Sequence, residues 1–218
     1  GMDTVVPGGD PNATVTGFVL QELDADHNVV FQWRSWDHFE ITDATHVDLT
    51  SSNIDYVHVN AIDTTPDGNI LLCCRHLDEI TKIDRNTGDI IWRFGPQSKN
   101  NMFSFSNDTI GFSYPHDIQQ LANGNLTMFD NGNFNNPQQS RGVEYEIDEI
   151  NLTATLVWEY TNDPAIYAPT TGGTRRVSNG NTIIGWGSTY PIVSTEVAID
   201  GNKEWELYLD STISYRYL

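Results

Sequence analysis

Val57-His58-Val59-Asn60-Ala61-Ile62, Asp67-Gly68-Asn69, Ile70-Leu71-Leu72-Cys73-Cys74, Glu79-Ile80-Thr81-Lys82-Ile83-Asp84, Asn86-Thr87-Gly88 and Ile90-Ile91-Trp92-Arg93-Phe94 follow one another with little between them. Short apolar runs punctuated by Asp-Gly and Thr-Gly turns read as the four strands of one antiparallel meander, with Asp-Gly serving a two-residue hairpin. The turn recurs as Asn123-Gly124-Asn125 and Asn179-Gly180-Asn181, so positions 67, 123 and 179 are each 56 residues apart. Asp200-Gly201-Asn202 adds a fourth copy. Aligned on these turns, a second unit takes 116–120, 126–129, 143–148 and 155–160, and a third takes 173–177, 182–186, 195–199 and 203–209. A Trp falls in each fourth strand (Trp92, Trp158 and Trp205) and is expected to fill the space between neighbouring sheets. Upstream, 17–24 and 29–33 match only a third and a fourth strand, with Trp33 in place; downstream, 213–217 matches a lone first strand. Four strands in a repeat of about 50 residues is a propeller-blade signature. The expected fold is therefore all-β: a β-propeller domain over 1–218, with about three complete four-stranded blades and partial blades at both ends. Residues 1–14 are expected to be irregular. A β-sandwich fits less well, because it needs no such repeat.

The composition narrows the partners. Thirty acidic residues against 11 basic ones give a net charge of −19. Nucleic acid and anionic membrane surfaces both demand clustered cations, so neither is an expected partner. An anionic small molecule meets a repulsive mean field, but that field decays over about 8 Å at physiological salt. A few local cations in a cleft therefore suffice to capture one. The two cysteines, Cys73 and Cys74, are adjacent in one strand, where neighbours point to opposite faces, and read as buried free thiols. No apolar run reaches the length of a membrane span. The leading Gly1-Met2 reads as a scar of tag removal, so a natural leader is expected to lie outside this sequence.

In a propeller the first strands line the central channel, and residues at their ends converge on its mouth. His58 and His116 each stand at the start of a first strand, and Arg75 ends a second strand. Together they form a local cationic funnel in an acidic protein. Structural roles remain open for all three: hydrogen bonding for the histidines, and an ion pair with Asp55 or Asp117 for Arg75. On the third first strand Arg175-Arg176 alternate faces, which makes Arg176 a further candidate for the channel. Asp130, Asn131 and Asn133 offer oxygen ligands without a calcium-loop spacing and read as a turn network, so no metal is expected.

The runs Asp55-Tyr56-Val57-His58-Val59-Asn60, Cys74-Arg75-His76, Lys82-Ile83-Asp84 and Thr87-Gly88-Asp89-Ile90-Ile91-Trp92 together resemble the arylsulfotransferase family. Pro115-His116-Asp117, Phe129-Asp130-Asn131-Gly132, Ser140-Arg141, Trp186-Gly187, Tyr215-Arg216 and Trp33-Arg34-Ser35-Trp36-Asp37-His38 extend the resemblance over nearly the whole chain from about Val15. Single pieces are weak, and their order and spacing carry the specificity. The resemblance implies a ring of the six-bladed type. It also implies transfer of a sulfuryl group from a phenolic sulfate ester to a phenol acceptor, through a transiently sulfated histidine and with no cofactor. Carried over, His116 matches the nucleophile, His58 and Arg75 match residues that hold the sulfate, and Asn60 follows in the same motif. The family site takes one more histidine from an upstream blade, a place for which His38 and His46 are the candidates here. A periplasmic or secreted location is implied as well. Exposed blade edges would pair copies into a homodimer. Two other readings stay open: a non-catalytic propeller that binds a partner, and a hydrolase that uses water as acceptor.

Overall fold

The computed structural model describes residues 1–209, so the expected lone strand at 213–217 lies outside the described residues. Among the described residues the only helices are single 3-10 turns of three residues, and strands dominate. β1 (Thr14–Thr16), β2 (Val19–Leu23), β3 (Val29–Arg34) and β4 (Asn53–Asp55) come first. The first meander is β5 (Val59–Thr64), β6 (Ile70–Cys74), β7 (Glu79–Ile83) and β8 (Ile90–Phe94). After β9 (Ser104–Ser106) the second is β10 (His116–Gln120), β11 (Leu126–Asp130), β12 (Arg141–Asp148) and β13 (Thr153–Tyr160). The third is β14 (Gly173–Arg176), β15 (Thr182–Gly185), β16 (Ile192–Val197) and β17 (Lys203–Tyr208). Each meander is an up-and-down antiparallel sheet in chain order, and β2 and β3 form a two-stranded sheet of their own.

Two pairings were not foreseen. β9, from the linker between the first two meanders, adds a parallel fifth strand beside β13, and β1 pairs in parallel with β4. The hairpin turns are also wider than two residues. In the first, Thr65 N–H donates to Asn69 O at 2.9 Å, and Asn69 N–H donates to the Asp67 carboxylate at 3.2 Å. Asn125, Asn181 and Asn202 repeat that side-chain bond to Asn123, Asn179 and Asp200. The side chain thus bonds its own backbone two residues on, and the glycine supplies the positive φ. Gly68, Gly124, Gly180 and Gly201 sit at φ +84, +93, +90 and +86° with open space around them, so conformation rather than crowding requires glycine.

The sheets pack face to face in sequence. Cys73, Trp92 and Phe94 meet Ile118, Met128, Val143 and Tyr145 between the first and second sheets. Cys74, on the opposite face, joins Trp33, Tyr56 and Leu72. Phe129, Ile184 and Trp186 fill the joint between the second and third. Trp33 and Trp92 are buried as expected, but Trp205 is 42% exposed, because no described sheet follows the third. The first strands β5, β10 and β14 lie side by side. Carboxylates tie them together: Asp63 accepts Gln120 N–H at 2.8 Å, and Asp117 accepts Thr174 N–H at 3.0 Å.

Candidate active site

The site forms where first strands begin and second strands end. β6 stops at Cys74, and the 3-10 turn Arg75–Leu77 closes on Asp78 at φ 52°. Arg75 N–H then donates to His58 O at 3.1 Å and His76 N–H to Val57 O at 3.2 Å. The second sheet repeats the connection, with Gly132 N–H donating to Ser113 O at 3.3 Å. By the 56-residue offset, Tyr114 occupies the place of His58, and both carry positive φ, 53 and 46°. His116 occupies the place of Asn60, and Asn131 that of Arg75. The two histidines, expected at equivalent places, are therefore two residues out of step: 58 residues separate them, not 56.

Arg75 is buried, with only 9% exposure. Nη1 donates to His76 Nε2 at 2.7 Å, Nη2 donates to Pro169 O at 3.0 Å, and the guanidinium lies 3.9 Å from the centre of the Tyr114 ring. Neither carboxylate suggested by sequence pairs with it, because Asp55 bonds His58 at 2.5 Å and Asp117 bonds Arg175 at 2.6 Å. The other described lysines and arginines form ion pairs, apart from Lys99, which donates to the Thr42 and Ala44 carbonyls. Arg75 is thus a desolvated cation with no carboxylate at ion-pair distance among the described residues; Asp78 and Asp55 act on it only from farther off. Such a charge is costly unless an anion can approach it.

His116 is 3% exposed, and its Nδ1 is 2.7 Å from Asn131 Oδ1 and 3.3 Å from Tyr114 O. Burial pulls its pKa from 6.5 down to about 3, against the hydrogen bond to Asn131 and helped by the Arg75 charge. The imidazole is therefore neutral at physiological pH. His76 is lowered to about 4, again chiefly by burial, while its Nδ1 donates to Asp55 O at 2.5 Å. The His58 ring is 43% exposed and lies 4.7 Å from that of His76. A cavity of about 170 Å³ opens beside it, lined by Gly17, Phe18, Asp55 and Val57 among others.

Asn60 reaches across to the second sheet, its Nδ2 donating to Pro115 O at 2.8 Å. His58, Asn60, Arg75 and His116 thus share one neighbourhood. Arg176 lies at the other end of its strand, paired with Glu144 at 2.5 Å beside the Gly180 turn. Larger cavities of about 530 and 500 Å³ also lie toward the turns, lined by Asn123, Arg176 and Gly180 or by Gly68 and Arg85 among others. His38 stacks on Trp33 at 4.6 Å. His46 instead stacks on Phe134 at 3.4 Å, faces Tyr114 edge-on, and brings Nε2 to 3.2 Å from the buried Asp78 carboxylate. By the 56-residue offset Gly172, just ahead of β14, corresponds to His116. Its φ is +102°, and a Cβ there would meet the Phe129 ring at 2.5 Å.

Asp55, His58 and His76 bring three possible metal-ligand atoms within 4.8 Å of one another. Both His76 nitrogens are already engaged, however, and a cation there would have to displace the Arg75 guanidinium. Sequence reading treated Asn131 only as a turn residue and assigned nothing to His76 or Tyr114. Their roles depend on contacts between sheets, for which the repeat offset is the only signal in the sequence.

Comparison with known proteins adds the following. The family model described as Arylsulfotransferase (ASST) matches residues 4–216. Arylsulfate sulfotransferase AssT from Escherichia coli O6:H1 is 34% identical over 94 residues, covering 38% of this chain and 16% of that protein. A crystal structure of a protein of unknown function from Bacteroides caccae superposes with a TM-score of 0.54 at 14% identity, covering 88% of this chain and 60% of the other. Virginiamycin B lyase from Staphylococcus aureus gives 0.47 at 14% identity, covering 86% and 47%. The chain therefore spans less than two thirds of the length of each of these proteins. Among the described residues no helix is long and apolar enough to cross a membrane.

Proposed function

The chain belongs to the arylsulfotransferase family, and from that premise we propose that it moves a sulfuryl group from a phenolic sulfate ester to a phenol acceptor through a sulfated His116. The observation that carries this reading is Arg75, a buried guanidinium with no carboxylate in ion-pair contact in a chain of net charge −19, beside a neutral imidazole. Its two recorded hydrogen bonds leave other N–H groups of the planar fork unspent for sulfate oxygens. In the first half-reaction the His116 Nε2 lone pair attacks sulfur, the N–S bond forms, and the S–O(aryl) bond breaks. The phenolate leaves with the electron pair, and Arg75 offsets charge on the sulfuryl oxygens. His58, its Nδ1–H held by Asp55, gives the proton on its Nε2 to the leaving oxygen. In the second half the acceptor phenol returns a proton to His58 as its oxygen attacks sulfur, and the N–S pair goes back to Nε2. Asn60 and Pro115 hold the first strands of the two sheets at the spacing this requires. In the same reading the three meanders are blades of a propeller, and the protein works in the periplasm or outside the cell.

The test is incubation with a chromogenic aryl sulfate. With excess phenol, release of the first phenol should be sustained, whereas without acceptor it should stop near one equivalent. His116→Ala should remove both phases. Sustained release into water alone would make the protein a hydrolase, and an inert parent chain would leave a binding module.

A further inference from the structure

We infer that Asn131 is the positioning residue that selects the reactive tautomer of His116, holding the proton on Nδ1 and leaving the Nε2 lone pair free. Its importance for transfer rests on the reading of His116 as nucleophile, but the tautomer itself does not.

The amide of Asn131 is fully buried, and its orientation follows from its neighbours. Nδ2 donates to Ala168 O at 2.6 Å and to Thr171 O at 2.9 Å. An NH₂ group has two donors and both are spent on carbonyls, whereas a flipped amide would set oxygen against two oxygens. Oδ1 therefore faces His116 Nδ1, at 2.7 Å. An amide oxygen only accepts, so Nδ1 must carry the hydrogen. The Tyr114 carbonyl at 3.3 Å is a second acceptor on the same side. Nε2 is then the unprotonated nitrogen, and no hydrogen bond engages it among the described residues.

The support around Asn131 is itself clamped. Its backbone oxygen accepts Ser140 Oγ–H at 2.7 Å, Ser140 Oγ accepts Ala168 N–H at 2.9 Å, and Gly132 N–H binds the Asp130 carboxylate at 2.9 Å. One side chain thereby joins the nucleophile of the second sheet to the segment that leads into the third. The chemical consequence is a proton balance. Nε2 has no proton to lose when its N–S bond forms, so the ring becomes cationic with its N–H still on Nδ1. The amide oxygen and the Tyr114 carbonyl hold that charge until the sulfuryl group leaves and the electron pair returns. In the opposite tautomer the lone pair would point at Asn131 and Nε2 would be blocked by hydrogen.

Histidine ¹⁵N NMR of the folded chain, assigned with His116→Gln, reads the tautomer without substrate. The expected result is a protonated Nδ1 and an unprotonated Nε2 for His116 at neutral pH; a protonated Nε2 overturns the inference. In Asn131→Ala the Nδ1 preference should be lost and His116 sulfation slowed about 10²–10⁴-fold, the range over which a misplaced imidazole tautomer costs an enzyme. Donor KM should stay nearly unchanged. Ser140→Ala, which loosens the same segment without touching the imidazole, should keep the parent tautomer. If Asn131→Ala keeps Nδ1–H at full rate, or if Ser140→Ala alters the tautomer equally, Asn131 is not the selecting group. If Asn131→Ala fails to fold, the parent tautomer decides. A parent with the expected tautomer but no transfer activity would overturn the proposed function and leave this assignment standing.

Discussion

The first and second sheets share one scaffold and spend it differently. Register and turns superpose by the 56-residue offset, yet Asn60, Arg75 and His58 in the first sheet become His116, Asn131 and Tyr114 in the second. The first sheet therefore supplies the cation and the second the neutral imidazole, and Arg75 over the Tyr114 ring joins them. The structural ion pairs are inverted in the same way. Glu79 on the third strand bonds Arg93 on the fourth at 2.7 Å in the first sheet, whereas in the second Arg141 on the third bonds Glu159 on the fourth at 2.6 Å. A repeated backbone thus fixes places, and charge assignment at those places is free to change as long as each buried pair stays matched.

His116→Asn makes the second sheet copy the first at this position and should abolish transfer while the chain stays folded. Residual turnover in a coupled aryl sulfate assay would show that the asymmetry is not the source of chemistry. Arg141→Met should cost about 3–5 kcal/mol in urea unfolding, because it strands the buried carboxylates of Asp130 and Asp108. Arg93→Met should cost less, since one of its partners, Asp43, keeps 14% exposure and can reach water. Equal losses would mean that the two inverted pairs are not distinguished by burial.

Arg75→Ala should lower kcat/KM for the donor about 10²–10³-fold, and Arg75→Lys should restore only part, since a point charge does not reproduce the fork. Full rescue by Lys would reduce Arg75 to a field effect. Acid stability offers a subtler contrast. His76 and His116, lowered to about 4 and about 3, stay neutral in the fold while the unfolded chain takes up protons below about 6.5. The unfolded state then binds more protons, so each histidine contributes about 1.4 kcal/mol per pH unit of lost stability as pH falls. That loss accumulates as pH falls from about 6.5 to the folded pKa, is absent above about 6.5 and grows no further below the folded pKa. Unfolding of His116→Gln across this range should show a slope shallower by about one proton than the parent; an unchanged slope would place His116 in water. The smallest effect is that of salt: screening the acidic field should lower donor KM by a few-fold at most. A rise in KM would mean that Arg75 attraction outweighs the net charge.

Much of the fold was legible because strand period and turn chemistry are local. β6, β8 and β10 have the bounds read from sequence. The opposed faces of Cys73 and Cys74 follow from the two-residue period of a strand. The added strands β1 and β9 were not legible, since three residues without a turn on either side carry no periodic signal. Arg176 shows a different limit. Alternation tells which face a side chain takes but not which end of the channel it reaches, and three residues of strand from Gly173 span about 10 Å. His38 and His46 were equal candidates in the sequence; only packing put His46 against Tyr114 and Phe134 and His38 against Trp33.

By itself the sequence determined the class of fold, the repeat and its turns, because these depend on hydrophobic period and on residues that tolerate positive φ. Through its resemblance it also pointed to His58, Arg75 and His116. Only the tertiary structure decided the electrostatic state of that group. Whether Arg75 meets a carboxylate, and whether His116 is desolvated enough to stay neutral beside Asn131, depends on side chains brought together from different sheets. Burial and through-space charge act over ångströms of distance rather than along the chain, so no local pattern records them.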